Sequence, residues 1–482
     1  MRSGETLFKN TTYLLISTTI QKAVGLVLTV VLARYLGADG YGRYSFILAF
    51  VIMADTVLCY GVDVLMVREI ARERSKGEPI LMNVLTLRAL LVPVFIGIVA
   101  GWMLLSDKAW EIKVLVLLLS MFHLFYSFNK TICSFFGGYE RLEYVTMLDI
   151  AYSVLKSSFI IAAVYLDLGL GYIVAGISVS YFLVFAFGAA IYRSRFFPLA
   201  FRMDWGWLRQ NLNSSFWFVL SVIVFGYYWK VDQLIISDLL PYEKVGIYSA
   251  AFLFIDLSIA FSLAYFSSVY PLISRIYHED SGHFELICRK SNKFFLIIGV
   301  PIPFIGLFII DGLIPLIYGR SFIETGQIVK IFLFTIPFVF LKSFMIRIAY
   351  STGRERSLFF VTLVAIGLKI GLNYLLVEGF GIVAAALVML AVEILYTLLI
   401  KAFCFPSEDF LVKSILSYAY KPLLSSVVMM TGLFILHGYG IVITCLAGVT
   451  LYILALFLLK AIDEDEWFVI SAKFNSLLRS RN

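Results

Sequence analysis

The chain is 482 residues long, 61% hydrophobic and 15% charged, with a mean hydropathy of +0.93. A soluble globular chain is about half apolar and a quarter charged, so this composition excludes water as the main solvent and leaves little room for a soluble domain. The formal net charge of +7 is distributed loop by loop rather than gathered into a basic patch, which excludes nucleic acid as a partner.

An apolar run of roughly 20 residues crosses the hydrocarbon core as a helix. Apolar windows read against glycine, proline and charged breaks predict an all-α polytopic membrane protein of about fourteen transmembrane helices. They fall near 12–35, 42–67, 80–105, 112–135, 144–166, 170–192, 212–237, 244–274, 291–317, 327–350, 357–377, 380–402, 416–437 and 439–460, called spans 1 to 14 below. Met1 to Thr12 is short and polar, and the apolar run after it continues to Leu36 with no A-x-A-like site, so span 1 reads as uncleaved. Alternate loops hold Arg68, Arg72, Arg74 and Lys76; Arg193, Arg195, Arg202 and Arg209; Arg275, Arg289, Lys290 and Lys293; and Arg354 and Arg356. Cytoplasmic loops carry the Lys/Arg excess, which predicts both termini on the cytoplasmic side of an inner membrane. The five cysteines (Cys59, Cys133, Cys288, Cys404, Cys445) show no C-x-x-C spacing and the four histidines no H-x-x-x-H. No metal site and no cofactor is expected, apart from a proton or Na⁺ as a coupling ion.

The chain also repeats itself. Leu36 to Ser45 (LGADGYGRYS), at the turn into span 2, lines up with Leu240 to Ser249 (LPYEKVGIYS), at the turn into span 8, so that Gly42 matches Gly246. Gly138-Tyr-Glu-Arg141 lines up with Gly353-Arg-Glu-Arg356, and Gly169-Leu-Gly171 with Gly379-Phe-Gly381. Three matches in one order predict two six-helix repeats of the same topology, related by an axis along the membrane normal with a cavity between them. The predicted organisation is a first lobe over 1–195, a cytoplasmic linker over 196–209, a second lobe over 210–402, a terminal helix pair over 403–460 and a cytoplasmic tail over 461–482.

Through Ala33 to Tyr44 (ARYLGADGYGRY), Gly246 to Ser249, the Gly-x-Glu-Arg turns and the 6+6+2 plan, the chain resembles the multidrug/oligosaccharidyl-lipid/polysaccharide exporter superfamily. Within it, the chain resembles the polysaccharide transporter family of Wzx-type flippases. That resemblance implies a MATE-like fold. It also implies flipping of a polyprenyl-(di)phosphate-linked oligosaccharide from the cytoplasmic to the outer leaflet by alternating access, alongside other polysaccharide-assembly membrane proteins.

A Lys, Arg or Asp at mid-membrane costs about 2.5 to 3.5 kcal/mol on insertion scales, which makes each one a candidate functional residue. Lys22, Lys156, Lys230, Lys342 and Lys369, with Arg88 nearer the cytoplasmic face, are expected to line a cationic cavity. A phosphate or diphosphate cannot enter hydrocarbon uncompensated but can be held by ammonium groups. Helical spacing sets Thr18, Lys22, Gly25 and Thr29 on one stripe of span 1, and Asp149, Tyr152 and Lys156 on one stripe of span 5. Asp55, Asp256, Glu393 and Asp232 are candidates for ion coupling or for interhelical pairing with the lysines. Tyr227, Tyr228 and Trp229 are candidates for stacking on sugar or for the interfacial aromatic belt.

Three other readings fit less well. A drug/cation antiporter of the same superfamily resembles a twelve-span plan with an acidic cavity. A lipid II flippase shares the span count and a cationic cavity, but the mid-span cations of spans 1, 5 and 11 here are lysines rather than its arginines. A membrane glycosyltransferase or polymerase needs a large catalytic outer loop, and no outer loop here is long enough.

Overall fold

The computed structural model describes residues 2–59, 61–196, 204–279, 281–435 and 440–461, so half of the expected linker and nearly all of the expected tail lie outside the described residues. Thr18 likewise lies outside the residues whose side chains are described. Fifteen α-helices follow in order among the described residues: α1 (Arg2–Cys59), α2 (Val62–Arg72), α3 (Gly77–Leu105), α4 (Trp110–Gly138), α5 (Leu142–Tyr165), α6 (Gly169–Arg195), α7 (Trp205–Tyr228), α8 (Val231–Leu239), α9 (Tyr242–Glu279), α10 (Ser281–Gly299), α11 (Pro301–Tyr318), α12 (Thr325–Ser351), α13 (Glu355–Cys404), α14 (Asp409–Ile435) and α15 (Ile441–Leu458). No strand occurs among them.

Twelve described segments are long and apolar enough to cross a membrane. Two of them, Gln21–Leu58 and Glu355–Cys404, each contain a glycine in the left-handed region, Gly37 (φ 66°) and Gly381 (φ 68°). A side chain is strained at such a φ, and an α-helix cannot continue through it. Each glycine therefore divides its segment in two, and twelve segments become the fourteen spans read from the sequence.

Three boundaries differ from the sequence reading. Span 2 ends at Cys59 rather than near 67, because Gly61 at φ 60° stops the helix and α2 begins. On α2 the spacing of Val62, Met66 and Ile70 buries one face while Arg68 and Arg72 stay exposed, the pattern of a helix lying on a core rather than crossing lipid. Span 7 is broken: α7 stops at Tyr228 and α8 starts at Val231, with Trp229 and Lys230 in the turn between them. Span 9 starts earlier, as α10, and is interrupted before Pro301, whose missing N–H suits the first position of α11.

The repeat reappears as backbone geometry, in a slightly different register. Left-handed residues open α5 at Glu140 and α6 at Gly169, and their counterparts are Gly353 before α13 and Gly381 within it. Those pairs are separated by 213 and 212 residues. The letter matches Gly138 to Gly353 and Gly169 to Gly379 are each two residues out of this register.

Two compact units can be distinguished, Met1–Ala250 with Thr362–Ala385, and Ala251–Val361 with Ala386–Asn482. In the first, Met66, Ile70, Leu81, Ile132, Phe135 and Tyr192 belong to a buried cluster joining α2, α3, α4 and α6. In the second, Met429, Leu433, Tyr452 and Leu456 seat α14 and α15 against Ile305 and Phe308 of α11. The outward faces of these two helices, with Leu416, Phe434 and Leu446 well exposed, suit lipid.

Gly42 and Gly246, matched by the repeat, touch each other within the first unit. A Cβ on Gly42 would lie 1.7 Å from the Tyr242 carbonyl oxygen, and one on Gly246 would lie 1.9 Å from that of Ala38. Only glycine allows α1 and α9 to cross so closely. Around the crossing, Phe46 and Phe50 pack on Trp102, Phe46 packs on Tyr242, and the Lys108 ammonium lies 5.4 Å from the Tyr242 ring centroid.

Candidate functional site

The stripes predicted on spans 1 and 5 face one space. Lys22 and Gly25 of α1 and Tyr152, Ser153 and Lys156 of α5 line a cavity of about 260 Å³ together with Gln21. None of the described residues lining it is acidic. Gln21 hydrogen-bonds Asp149 one turn below Tyr152 on α5, and the Lys156 ammonium lies 5.9 Å from the Tyr152 ring centroid. Thr29 turns its hydroxyl back onto the Gly25 carbonyl at 2.9 Å and so satisfies its own polarity within α1. Two ammonium groups, a phenol, a hydroxyl and a carboxamide thus converge with no carboxylate among them, an arrangement that accepts an anion.

Three of the four remaining expected cations, Lys369, Lys342 and Arg88, are compensated inside the protein. Lys369 on α13 is fully buried, forms an ion pair with Asp232 at 2.7 Å, and donates to the Tyr228 carbonyl at 2.9 Å. That carbonyl is exposed by the break between α7 and α8, so the ammonium satisfies backbone that the interrupted helix leaves open. Tyr248 donates to Asp232 Oδ2 at 2.7 Å and Asn373 donates to Oδ1 at 3.0 Å. The Lys369 ammonium also sits 4.3 Å from the Tyr228 ring centroid. In the second unit Lys342 pairs with Glu393 at 2.5 Å, both fully buried, beneath the Tyr396 ring. Arg88 pairs with Asp63 at 2.8 Å, donates to the Ser127 carbonyl, and shares Asp63 with the Thr131 hydroxyl. For Lys342, Lys369 and Arg88 the pairing alternative thus describes the geometry. Their partners are Glu393, Asp232 and Asp63.

Lys230 is half-buried in the turn between α7 and α8, and Asp256 is on an exposed face of α9. Tyr227 and Trp229 are half-buried, whereas Tyr228 is fully buried under Lys369, with one face of its ring occupied.

Asp55 leads to residues the sequence reading passed over. Its Oδ2 lies 3.4 Å from His123 Nε2 of α4. The His123 ring packs against Tyr126 and edge-on against Tyr181 of α6, with centroids 5.0 and 5.2 Å away. Tyr181 in turn stacks on Tyr152 at 5.3 Å with ring planes 8° apart.

Residues 7–277 match the family described as "Polysaccharide biosynthesis protein". The chain belongs to this family. No curated protein matches it in sequence. Among solved structures, this member of the polysaccharide biosynthesis family is similar to a lipid II flippase, MurJ, in an inward closed conformation. The two share 16% identity and a TM-score of 0.73, over 92% of this chain and 98% of that one. It is also similar to an inward-facing multidrug resistance MATE family transporter of the MOP superfamily (16% identity, TM-score 0.63, 83% of this chain and 99% of that one). A further likeness is to the Vibrio cholerae MATE transporter VcmN in its bent form (13% identity, TM-score 0.52, 86% and 97%). At these identities the likeness is one of fold. It bears out the MATE-like architecture that the resemblance implies.

Sequence reasoning missed His123, Tyr126 and Tyr181 in this polysaccharide biosynthesis family member for a definable reason. Read by spacing, a histidine signals only a metal ligand, and tyrosines in an aromatic-rich chain carry no period that marks them. The available signal was positional: His123 lies mid-span, where an ionisable residue stands out against hydrocarbon.

Proposed function

We propose that the protein is a flippase that moves a polyprenyl-(di)phosphate-linked oligosaccharide from the cytoplasmic to the outer leaflet of the inner membrane by alternating access, and is not an enzyme. The observation that carries this reading is the cavity shared by Lys22 and Lys156, in which cationic and hydroxyl donors converge and none of the described lining residues is acidic. A lipid-linked glycan enters a membrane protein by its phosphate, so what its carrier must supply is compensation for that charge at membrane depth. The polyprenyl tail stays in lipid and the sugar crosses in water, so neither requires further charge.

Lipid II is the second reading of the cargo, favoured by the likeness of fold to MurJ. It carries the same diphosphate and would use the same lysines, so the two cargoes differ only in what the glycan contacts.

The test is reconstitution. Purified protein in liposomes is given a fluorescent polyprenyl-diphosphate oligosaccharide or fluorescent lipid II, and the fraction accessible in the outer leaflet is followed over time. Each charge-assisted hydrogen bond is worth about 1.5 to 3 kcal/mol, so Lys22→Ala and Lys156→Ala are each expected to slow flipping by roughly tenfold to a hundredfold. Unchanged rates in both variants would overturn the site. Chemical modification of the glycan during the assay would overturn the transporter reading in favour of a membrane glycosyltransferase.

A further inference from the structure

We propose that His123 and Asp55 form a proton-binding site that controls the affinity of the Lys22–Lys156 cavity for its anion; this rests on the reading of that cavity as the carrier's binding site.

The pair is built for a proton. His123 is only 3% exposed and its Nε2 faces the Asp55 carboxylate, while Nδ1 has no hydrogen-bond partner among the described residues. A buried imidazole with one nitrogen committed to a carboxylate and the other uncommitted can take up a proton without breaking an existing bond. Against His123 lie Asp55 from α1, Tyr126 on α4 itself and Tyr181 from α6. Beyond those rings come Tyr44 from α1 and Tyr152, Lys156 and Asp149 from α5, and further along α4 lie Asp63 from α2 and Arg88 from α3. Asp63 and Arg88 neutralise each other one to two turns along α4. The tyrosines are neutral, which leaves Asp55 as the charge nearest the imidazole.

When His123 takes a proton from water, both ring nitrogens carry hydrogen, and the pair becomes imidazolium and carboxylate with no net charge. When the proton returns to water, one negative charge remains. His123 is joined to the cavity by a short series of ring contacts, His123 to Tyr181, Tyr181 to Tyr152, and Tyr152 to Lys156. Tyr181 and Tyr152 are also hydrogen-bonded to each other. A unit charge at that distance in a poorly polarisable interior competes with a bound anion for the lysines. Proton uptake therefore favours the anion, and by linkage the anion favours the proton.

The chain contains four histidines, so ¹⁵N-imidazole spectra of the full protein in detergent are readable. The wild type is expected to show a histidine signal that changes on acidification, is absent from His123→Gln, and is displaced in Asp55→Asn. In parallel, wild-type affinity for undecaprenyl diphosphate is expected to be at least about fivefold tighter at pH 6 than at pH 8. In His123→Gln that ratio falls to the value set by the phosphate's own titration. Tyr181→Phe, which keeps the packing and removes the phenol hydroxyl, retains the His123 titration and reduces the ratio. A His123 signal that does not change on acidification overturns the proposal, as does a pH ratio equal in wild type and His123→Gln. If His123 titrates but undecaprenyl diphosphate binds at neither pH, the reading of the cavity fails and the proton site stands.

Discussion

Lys369 and Lys156 are both lysines within predicted spans, yet they have opposite surroundings. Lys369 has a carboxylate, a carbonyl oxygen and a ring face within reach, whereas Lys156 has a cavity and a ring face with no carboxylate among the described residues that line the cavity. Removing one member of a buried pair leaves a charge with nothing to offset it, at a cost of about 3 to 5 kcal/mol. Lys369→Met and Lys342→Met are therefore expected to lower the melting temperature of the detergent-solubilised protein clearly. The doubles Lys369→Met/Asp232→Leu and Lys342→Met/Glu393→Leu are expected to recover most of that loss, because replacing both partners with apolar groups removes the desolvation penalty as well as the attraction. Lys22→Ala and Lys156→Ala are expected to leave stability within about 0.5 kcal/mol while impairing transport. If melting and transport fall together for all four lysines, the division between structural and functional cations is wrong. Sequence position alone ranks these residues together, since insertion cost depends on depth and says nothing about the neighbour on the next helix.

Among the elements, two features are set by packing between distant segments: the crossing of α1 and α9 at Gly42 and Gly246, and the interruption of α7 before α8. The crossing brings two backbones so close that even a methyl group collides with a carbonyl oxygen rather than with a movable side chain. Gly42→Ala and Gly246→Ala must each push the helices apart, and overpacking of this kind costs about 1 to 3 kcal/mol. Thermal unfolding of the two variants is expected to show similar losses, whereas Gly97→Ala, which meets nothing within 4 Å, is expected to be near neutral. The repeat pairs these glycines by letter alone; that they pair with each other in space is a fact of packing. The break after Tyr228 was not legible as a break, because Tyr227-Tyr228-Trp229 followed by Lys230 and Val231 lacks a glycine or proline. There the interruption is stabilised from outside the segment, by the Lys369 ammonium on the freed carbonyl.

For the whole molecule, the fourteen spans and the alternation of basic loops lead to a topology that labelling can check. With the five native cysteines changed to serine, Ser75→Cys is expected to react with an impermeant thiol reagent only after the membrane is permeabilised. Asp107→Cys, in the next loop, is expected to react in intact cells; the reverse pattern would invert the orientation. By itself the sequence determined the membrane class, the number of spans, the repeat and the family, because hydropathy, helical period and turn glycines act over a few to about twenty residues of contiguous chain. It also placed Lys22 and Lys156 on polar stripes that share a cavity. Only the tertiary structure decided which buried charges are already neutralised. Lys342 and Glu393 are 51 residues apart, and Lys369 reaches a carbonyl 141 residues away. A charge pair depends on distance in space, and in a polytopic chain that distance is set by helix packing rather than by separation along the sequence.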